Sequence, residues 1–321
     1  MLTTVTHRAM ATEFAVILAE SEAHRVEAAL ESLELLDRIE ADLSVYVADS
    51  EISRVNAHAA VEPVAVSADT FNLLETSQRW SERSGGAFDV TAGPLVRAWG
   101  FTQRRGKKPG DAEIQQARER VGYQKMQLDA DQRTVRFSCP GMEVNLGAIG
   151  KGFALDRLTA ELRRRGLGNF LIHGGGSSVI AHGGQSADRP GWAVGISHPT
   201  KPKRRLAGIR LIDQALSTSG SGKQYFHHRG RRYGHVIDPR TGYPAGDVLS
   251  LTAICDNATD AEACSTSYFV WGLEEIRAVA ESDPDLPTLI AVRALGRQDG
   301  VEVIAMGDVV WVDPPEQIAD P

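Results

Sequence analysis

Cysteine is scarce in this chain: three among 321 residues, at positions 139, 255 and 264. An odd, scattered set builds no disulfide framework, and no two of them have zinc-ligand spacing. That points to a reducing compartment. Long apolar runs are missing too, since nothing approaches the roughly eighteen apolar residues that a membrane helix needs. The run Phe14–Ala19 is too short for a signal core, no basic stretch precedes it, and no lipid-attachment cysteine follows it. The expectation is a soluble, cytoplasmic protein with no membrane span. Positive charge is in deficit, 35 Lys and Arg against 42 Asp and Glu, for a formal net charge of −7. Such a chain has no overall pull towards nucleic acid or anionic membrane, although local patches can persist. Internal repeats are absent.

What is present is ordinary globular composition, 42% hydrophobic and 24% charged, with length for one large domain or two smaller ones. Residues 13–18 read as a strand. Val26, Leu30, Leu33, Leu36 and Ile39 recur at helical spacing and predict one amphipathic helix over 23–43. A second helix is expected over 70–81. Residues 126–145 read as two strands around a turn at 129–131. A glycine-rich turn at 147–152 leads into a helix carrying Leu155, Leu158 and Leu162, which stops at Gly166. A strand over 170–173 runs into the triple glycine 174–176. Strands follow at 192–196, 208–212 and 250–255, a helix at 259–272, and closing strands at 288–294 and 301–306. Strands and helices alternate irregularly, which argues for an α+β fold. One domain is expected over 1–313, with or without two subdomains, and a disordered acidic, proline-rich tail over 314–321.

Five stretches could carry chemistry, each with a plainer alternative. The basic segment 100–111, with Arg104, Arg105, Lys107 and Lys108, is either an anion-binding loop or a solvated insertion. Asn145-Leu146-Gly147-Ala148-Ile149-Gly150-Lys151-Gly152 has small residues that let a backbone approach a ligand, ahead of a helix N-terminus that favours phosphate. Its spacing is neither that of a Walker A loop nor that of a Rossmann fingerprint, and a simple tight turn would look the same. His235-Val236-Ile237-Asp238-Pro239-Arg240-Thr241-Gly242-Tyr243-Pro244 gathers an imidazole, a carboxylate and a guanidinium in a turn, suited to a base and phosphate clamp or to an Asp-capped turn with an internal ion pair. Ser217-Thr218-Ser219-Gly220-Ser221-Gly222 could hold phosphate or ribityl oxygens, or be a flexible polar loop. Glu262 and Thr266 share a helical face and offer oxygens of the kind that suit Mg²⁺, whereas Thr259-x-x-Glu262 also fits a capping box.

Taken in chain order, the last four of these stretches resemble the ApbE family, the FAD:protein FMN transferases. Met10-Ala11-Thr12 stands where the family has Met-Gly-Thr. Further matching stretches are Leu43-Ser44-Val45-Tyr46, Ser50 to Asn56, Gly86-Ala87-Phe88-Asp89-Val90-Thr91, Gly93-Pro94-Leu95 and Trp99-Gly100-Phe101. Ser217 to Gly220 and His235 to Pro244 match nearly residue for residue. The resemblance runs from about Met10 to Gly272. It implies a T-fold-like α+β architecture, with mixed and antiparallel sheets, packed helices and FAD in a cleft. It implies Mg²⁺-dependent transfer of FMN from FAD to a Thr or Ser of an acceptor flavoprotein, with release of AMP. By the same resemblance Met10, Tyr46, Ala87, Phe88 and Asp89 contact FAD, with Ser219 among the cofactor residues. Asn145 and Lys151 flank it, and His235 and Ile237 lie at the diphosphate end. The Ala148 carbonyl, Glu262 and Thr266 would bind Mg²⁺. His235 is the candidate base, with Asp238 positioning its loop. An FAD pyrophosphatase and a non-catalytic flavin-binding protein are the rival readings. Three positions depart from the family pattern. Asn145 and Glu262 each stand where Asp is usual, with Asp260 a second candidate for the metal, and Ala11 stands where Gly is usual.

Overall fold

In the computed structural model the described residues are 1–102, 106–186, 188–201, 203–220, 222, 225–280, 286–295, 300–316 and 318–319. Arg104, Arg105 and Ser221 lie outside them. Among the described residues a nine-stranded sheet runs in the spatial order Thr3–Ala9, Thr12–Leu18, Phe170–Gly174, Ser178–His182, Ala215–Gly220, Ser250–Cys255, Thr288–Leu295, Gly300–Met306, Ile318–Ala319. Every neighbouring pair is antiparallel except the last, which is parallel. Both faces are covered, so the central strands read as apolar runs with little polar alternation. Five of the six residues of Ser250–Cys255 are buried.

The period-two geometry of a strand assigns residues to the two faces. Phe14, Val16, Leu18, Phe170, Ile172, Ile180, Ala215, Leu251, Ala253, Leu289 and Ala291 point to a helical layer and belong to one core. Leu171, Val179, Ala181, Leu216, Ile254, Ile290 and Val292 point the other way. There they meet Trp192, Ile196, Ala207, Ile209 and Leu211 of a three-stranded sheet formed by Trp192–Ser197, Arg205–Leu211 and Trp311–Asp313. Helices, main sheet and small sheet therefore stack as three layers of an α+β fold. The chain leaves the main sheet after Leu18 and returns at Phe170. The stretch between carries most of the helices and a small sheet of Val64–Ala65, Thr134–Phe137 and Met126–Asp129.

Several expectations need correcting. The single helix over 23–43 is three pieces: a 3-10 turn Glu20–Arg25, then helices Val26–Leu33 and Leu35–Leu43. The joint at Glu34 tightens into an i→i+3 bond to Glu31 and shifts the phase of the apolar face. Ala29, Leu33, Leu36, Ile39 and Leu43 are buried, while Leu30 turns outward. The hydroxyl-rich stretch Ser217 to Gly220 is not a loop: it is the last four residues of strand Ala215–Gly220. The helix expected to end at Gly272 does break there (φ +78°), and a further helical stretch continues to Ala280, its first N–H held by Asp247 (Leu273 N to Oδ2, 2.9 Å). Of the tail expected to fray, Ile318 and Ala319 pair with Val303 and Ile304. No helix among the described residues is long and apolar enough to cross a membrane.

Candidate active site

The site forms where two helices meet the helix-facing ends of the central strands. Helix Gly150–Arg164 crosses the start of helix Ala258–Ala280 at Gly152. A Cβ there would fall 2.2 Å from the Ala258 carbonyl oxygen, so only glycine permits this approach. One turn on, Asp156 accepts from the backbone N–H groups of Ala258 and Thr259 (2.8 Å each) and from the Thr259 hydroxyl. Two orphan donors of the second helix are thereby satisfied by the first. Burial raises the Asp156 carboxyl above its ordinary value, with the Thr259 and Ala258 hydrogen bonds opposing.

This arrangement takes Glu262 out of the helix cap. The capping pair is Asn257 with Asp260, not Thr259 with Glu262. The Asp260 N–H donates to Asn257 Oδ1 (2.8 Å), and the Asn257 amide donates back to Asp260 Oδ2 (2.6 Å). The other Asp260 oxygen accepts from the Trp80 indole (2.6 Å), so this carboxylate is occupied in the fold. Glu262, only 3% exposed, instead points at the sheet. Its Oε1 pairs with the Lys151 ammonium and accepts from the Ser178 hydroxyl (2.5 Å). Its Oε2 is buried without a hydrogen-bond partner. A buried, half-satisfied carboxylate is costly unless something else completes it.

Strand alternation puts Ser217 and Ser219 on the helix side beside it. Ser219 Oγ lies 2.9 Å from Ser265 Oγ and 3.2 Å from Thr266 Oγ1, and Ser265 in turn lies 3.4 Å from Ser217. Glu262, Ser265 and Thr266 are one turn of helix, so a single helical face meets two strands. Among the described residues no group of three or more His, Cys, Asp or Glu gathers as a metal cluster. The oxygens here come from one carboxylate and several hydroxyls.

The glycine turn leads into the helix that carries Lys151. Asn145 Oδ1 accepts from the Gly147 N–H (2.9 Å), and its own N–H donates to the Val90 carbonyl (2.7 Å). The side chain therefore shapes the turn that carries Ala148 into the helix. The Met10 methyl packs on Gly150, 3.4 Å from where a Cβ would stand. Ala87 and Phe88 are buried at 1% exposure. Asp89 accepts from Thr91 N (2.8 Å), Thr91 Oγ1 (2.7 Å) and Tyr123 N (2.8 Å), and burial raises its carboxyl above the ordinary value. These bonds make Asp89 a brace for the loop.

A second group of the expected residues gathers around Phe101 and Trp99. Tyr46, 73% exposed, donates its hydroxyl to the Thr102 carbonyl (3.1 Å). The neighbouring Phe101 ring meets the His235 imidazole edge-on at 6.4 Å. Ile237 is buried in a cluster with Leu95, Trp99 and Tyr233. Asp238 accepts from Arg240 N (2.9 Å) and Nε (3.0 Å), and Trp99 Nε1 donates to the Gly242 carbonyl (2.9 Å). Asp238 is thus the internal brace of its turn.

Of the residues singled out in the sequence, Lys151, Ser217, Ser219, Glu262 and Thr266 meet here, whereas Ser178 and Asp156 were not among them. A signal for Ser178 existed: a lone hydroxyl at the start of Ser178–His182, four of whose five residues are buried.

A model of the ApbE family matches residues 5–290. FAD:protein FMN transferase of Vibrio cholerae is 34% identical over 263 residues, 81% of this chain and 77% of that protein. That of Haemophilus influenzae is 34% identical over 257 residues, 78% and 74% of the two chains. Among solved structures, the ApbE protein of Thermotoga maritima superposes with a TM-score of 0.83 at 30% identity, covering 91% of this chain and 94% of that one. The flavin transferase ApbE of Vibrio cholerae gives 0.80 at 28% identity, covering 96% and 98%. With a family match over nearly its whole length and relatives aligned across three-quarters of theirs, this chain belongs to the ApbE family.

Proposed function

We propose that this chain is an FAD:protein FMN transferase that moves FMN from FAD onto a Thr or Ser hydroxyl of an acceptor flavoprotein, forming a phosphoester and releasing AMP. The named activity of its relatives supports the reading. The observation that carries it is the Glu262 carboxylate, buried at the foot of two hydroxyl-bearing strands with one oxygen unpartnered.

The donor set fits Mg²⁺. Glu262, the Thr266 hydroxyl and the Ala148 carbonyl would hold it, all through hard oxygens, and Mg²⁺ commonly keeps water in its remaining positions. Bound there, Mg²⁺ neutralises charge on the FAD diphosphate. The chain's own residues do the rest. Lys151 brings a fixed positive charge to the same side, and the glycine turn lets the cofactor approach the backbone. Met10 and the exposed Tyr46 ring flank the flavin end. The acceptor hydroxyl attacks the FMN phosphorus, the bond from that phosphorus to the bridging oxygen breaks, and AMP leaves with the electron pair. His235 takes the proton of the acceptor hydroxyl, because an imidazole titrates near working pH. Asp238, through Arg240, holds the His235 loop in shape.

The test mixes the purified protein with FAD, Mg²⁺ and a flavoprotein acceptor domain, with a chelator control and a Glu262→Gln control. Intact mass and in-gel fluorescence read covalent FMN, and chromatography reads AMP. Label that needs both Mg²⁺ and Glu262 is the expected outcome. Free FMN and AMP without label would replace transfer with pyrophosphatase activity. Bound FAD with no product would leave flavin binding alone.

A further inference from the structure

The chain is acidic, yet residues 199–232 hold nine Lys or Arg against one acid, Asp213. These 34 residues carry a net of eight positive charges, and the rest of the molecule carries fifteen negative. Charge segregated this sharply creates a local field that the overall −7 hides.

The end of this segment folds into a hairpin. Tyr225–His228 and Arg231–Gly234 form a two-stranded ribbon separate from the main sheet, paired from Tyr225↔Gly234 to His228↔Arg231. The turn residues Arg229 and Gly230 have φ +49° and +77°, which suits a tight primed hairpin. Its root is aromatic and fixed: Phe226 stacks on Tyr233 at 5.5 Å, and Trp99 lies 5.4 Å from Tyr233. Its tip is basic and exposed. Among the described residues no carboxylate pairs with Arg229 or Arg231, and the Arg231 guanidinium lies 5.4 Å from the centre of the Tyr233 ring. Two further basic stretches adjoin it. A Cβ on Gly106 would fall 2.3 Å from Phe226, which sets exposed Lys108 alongside. A Cβ on Gly222 would fall 2.5 Å from the Pro199 carbonyl; exposed Lys203 follows there, whereas Arg204 and Arg205 face Glu316 (3.9 Å) and Asp313 (2.8 Å). The Phe101 ring meets both Phe226 (5.8 Å) and His235 (6.4 Å), so the root of the ribbon stands beside His235.

We propose that this ribbon, with Lys108 and Lys203 beside it, forms a docking surface for an acidic polypeptide, the acceptor that receives FMN. The inference rests on the transfer reading above. A diphosphate carries too little charge to engage cations spread over a ribbon and two loops, whereas an acidic protein face matches such an area. Charges of this exposed kind steer encounter and set salt dependence more than they hold a complex.

The test uses Arg229→Glu with Arg231→Glu in the full chain, Arg229→Ser with Arg231→Ser as a milder pair, and Arg136→Glu on the exposed side of Thr134–Phe137 as control. The first readout needs no turnover: fluorescence anisotropy of labelled poly-L-glutamate. The second is labelling rate against acceptor concentration, with FAD affinity measured separately. The Glu pair is expected to weaken poly-L-glutamate binding and raise the acceptor KM by about tenfold, and to flatten the salt dependence. The Ser pair should fall between, and the control should match the parent. Saturated turnover and FAD affinity should hold. Poly-L-glutamate binding equal in the Glu pair and the parent overturns the proposal. So does a loss of FAD affinity with an unchanged acceptor KM, which would assign the cations to the cofactor. Ribbon-dependent poly-L-glutamate binding in a protein that labels no acceptor would sink the transfer reading and leave the acidic-polypeptide surface standing.

Discussion

Met10 and Ala11 turn the first hairpin with φ +51° and +57°. Left-handed backbone is unfavourable for residues with a Cβ, by about 1–2 kcal/mol relative to glycine. Ala11→Gly should therefore stabilise the fold, by about 0.5–1 kcal/mol once the greater freedom of the unfolded chain is offset. A urea midpoint that stays put or falls would contradict this. The usual glycine of the family at this position has that physical reason. His235 tests a different residue-level claim. His235→Ala should leave FAD affinity within about threefold and lower labelling by roughly 100-fold, the scale of a lost general base. Labelling at the parental rate would remove the imidazole from the chemistry. Motif residues such as these were legible in the sequence because each sits in a short, ordered stretch. Their partners were not. Ser178 reaches Glu262 across 84 positions and Asp156 reaches Ala258 across 102, and no local pattern encodes a contact of that span.

At the scale of elements, the site depends on one helix crossing. Gly152 sets the distance, Asp156 caps the second helix, and Lys151 reaches Glu262, all from a single helical segment. Asp156→Ala would strip two backbone donors and one hydroxyl of their acceptor. The expected cost is about 2–3 kcal/mol, since bonds to a charged acceptor at a helix N-terminus exceed ordinary ones. Asp156→Asn keeps one carbonyl acceptor and should cost less. Denaturant midpoints in that order, with unchanged slope, would bear this out, and equal midpoints for all three proteins would not. Element boundaries in apolar stretches were legible: Ser250–Cys255 and the helix stopping at Gly166 need only pattern and a glycine. Ser217 to Gly220 misled because Ser, Thr and Gly signal a turn, whereas here the hydroxyls satisfy one another beneath the helix. The phase slip at Glu34 was also invisible, since each half of the 23–43 segment keeps a helical period.

The whole molecule is a two-sided sheet between a helical layer and a small sheet, and its burial bears on how stability follows pH. Asp89, Asp156 and Glu143 all have carboxyls raised above their ordinary values, chiefly by burial. A carboxyl whose folded pKa exceeds its unfolded one makes the folded chain the better proton binder. Its contribution to stability is complete below the unfolded pKa and is lost as pH rises through the folded one. Falling pH also relieves the net negative charge of the acidic chain. Glu161 runs the other way: hydrogen bonds from Arg164 and Arg165 hold it at about 2, below its ordinary 4.5. Its contribution is present above the ordinary value and is lost as pH falls towards 2. The two trends occupy different windows. As pH falls from neutrality the raised carboxyls protonate first in the folded chain, and the urea midpoint should hold or rise; as pH nears 2 it should fall as Glu161 protonates. A midpoint that drops steadily as pH first falls from neutrality would mean that the buried carboxylates are stabilised in their charged form. Asp89→Ala and Asp156→Ala would then separate the two groups, since the variant that flattens the slope marks the carboxylate responsible.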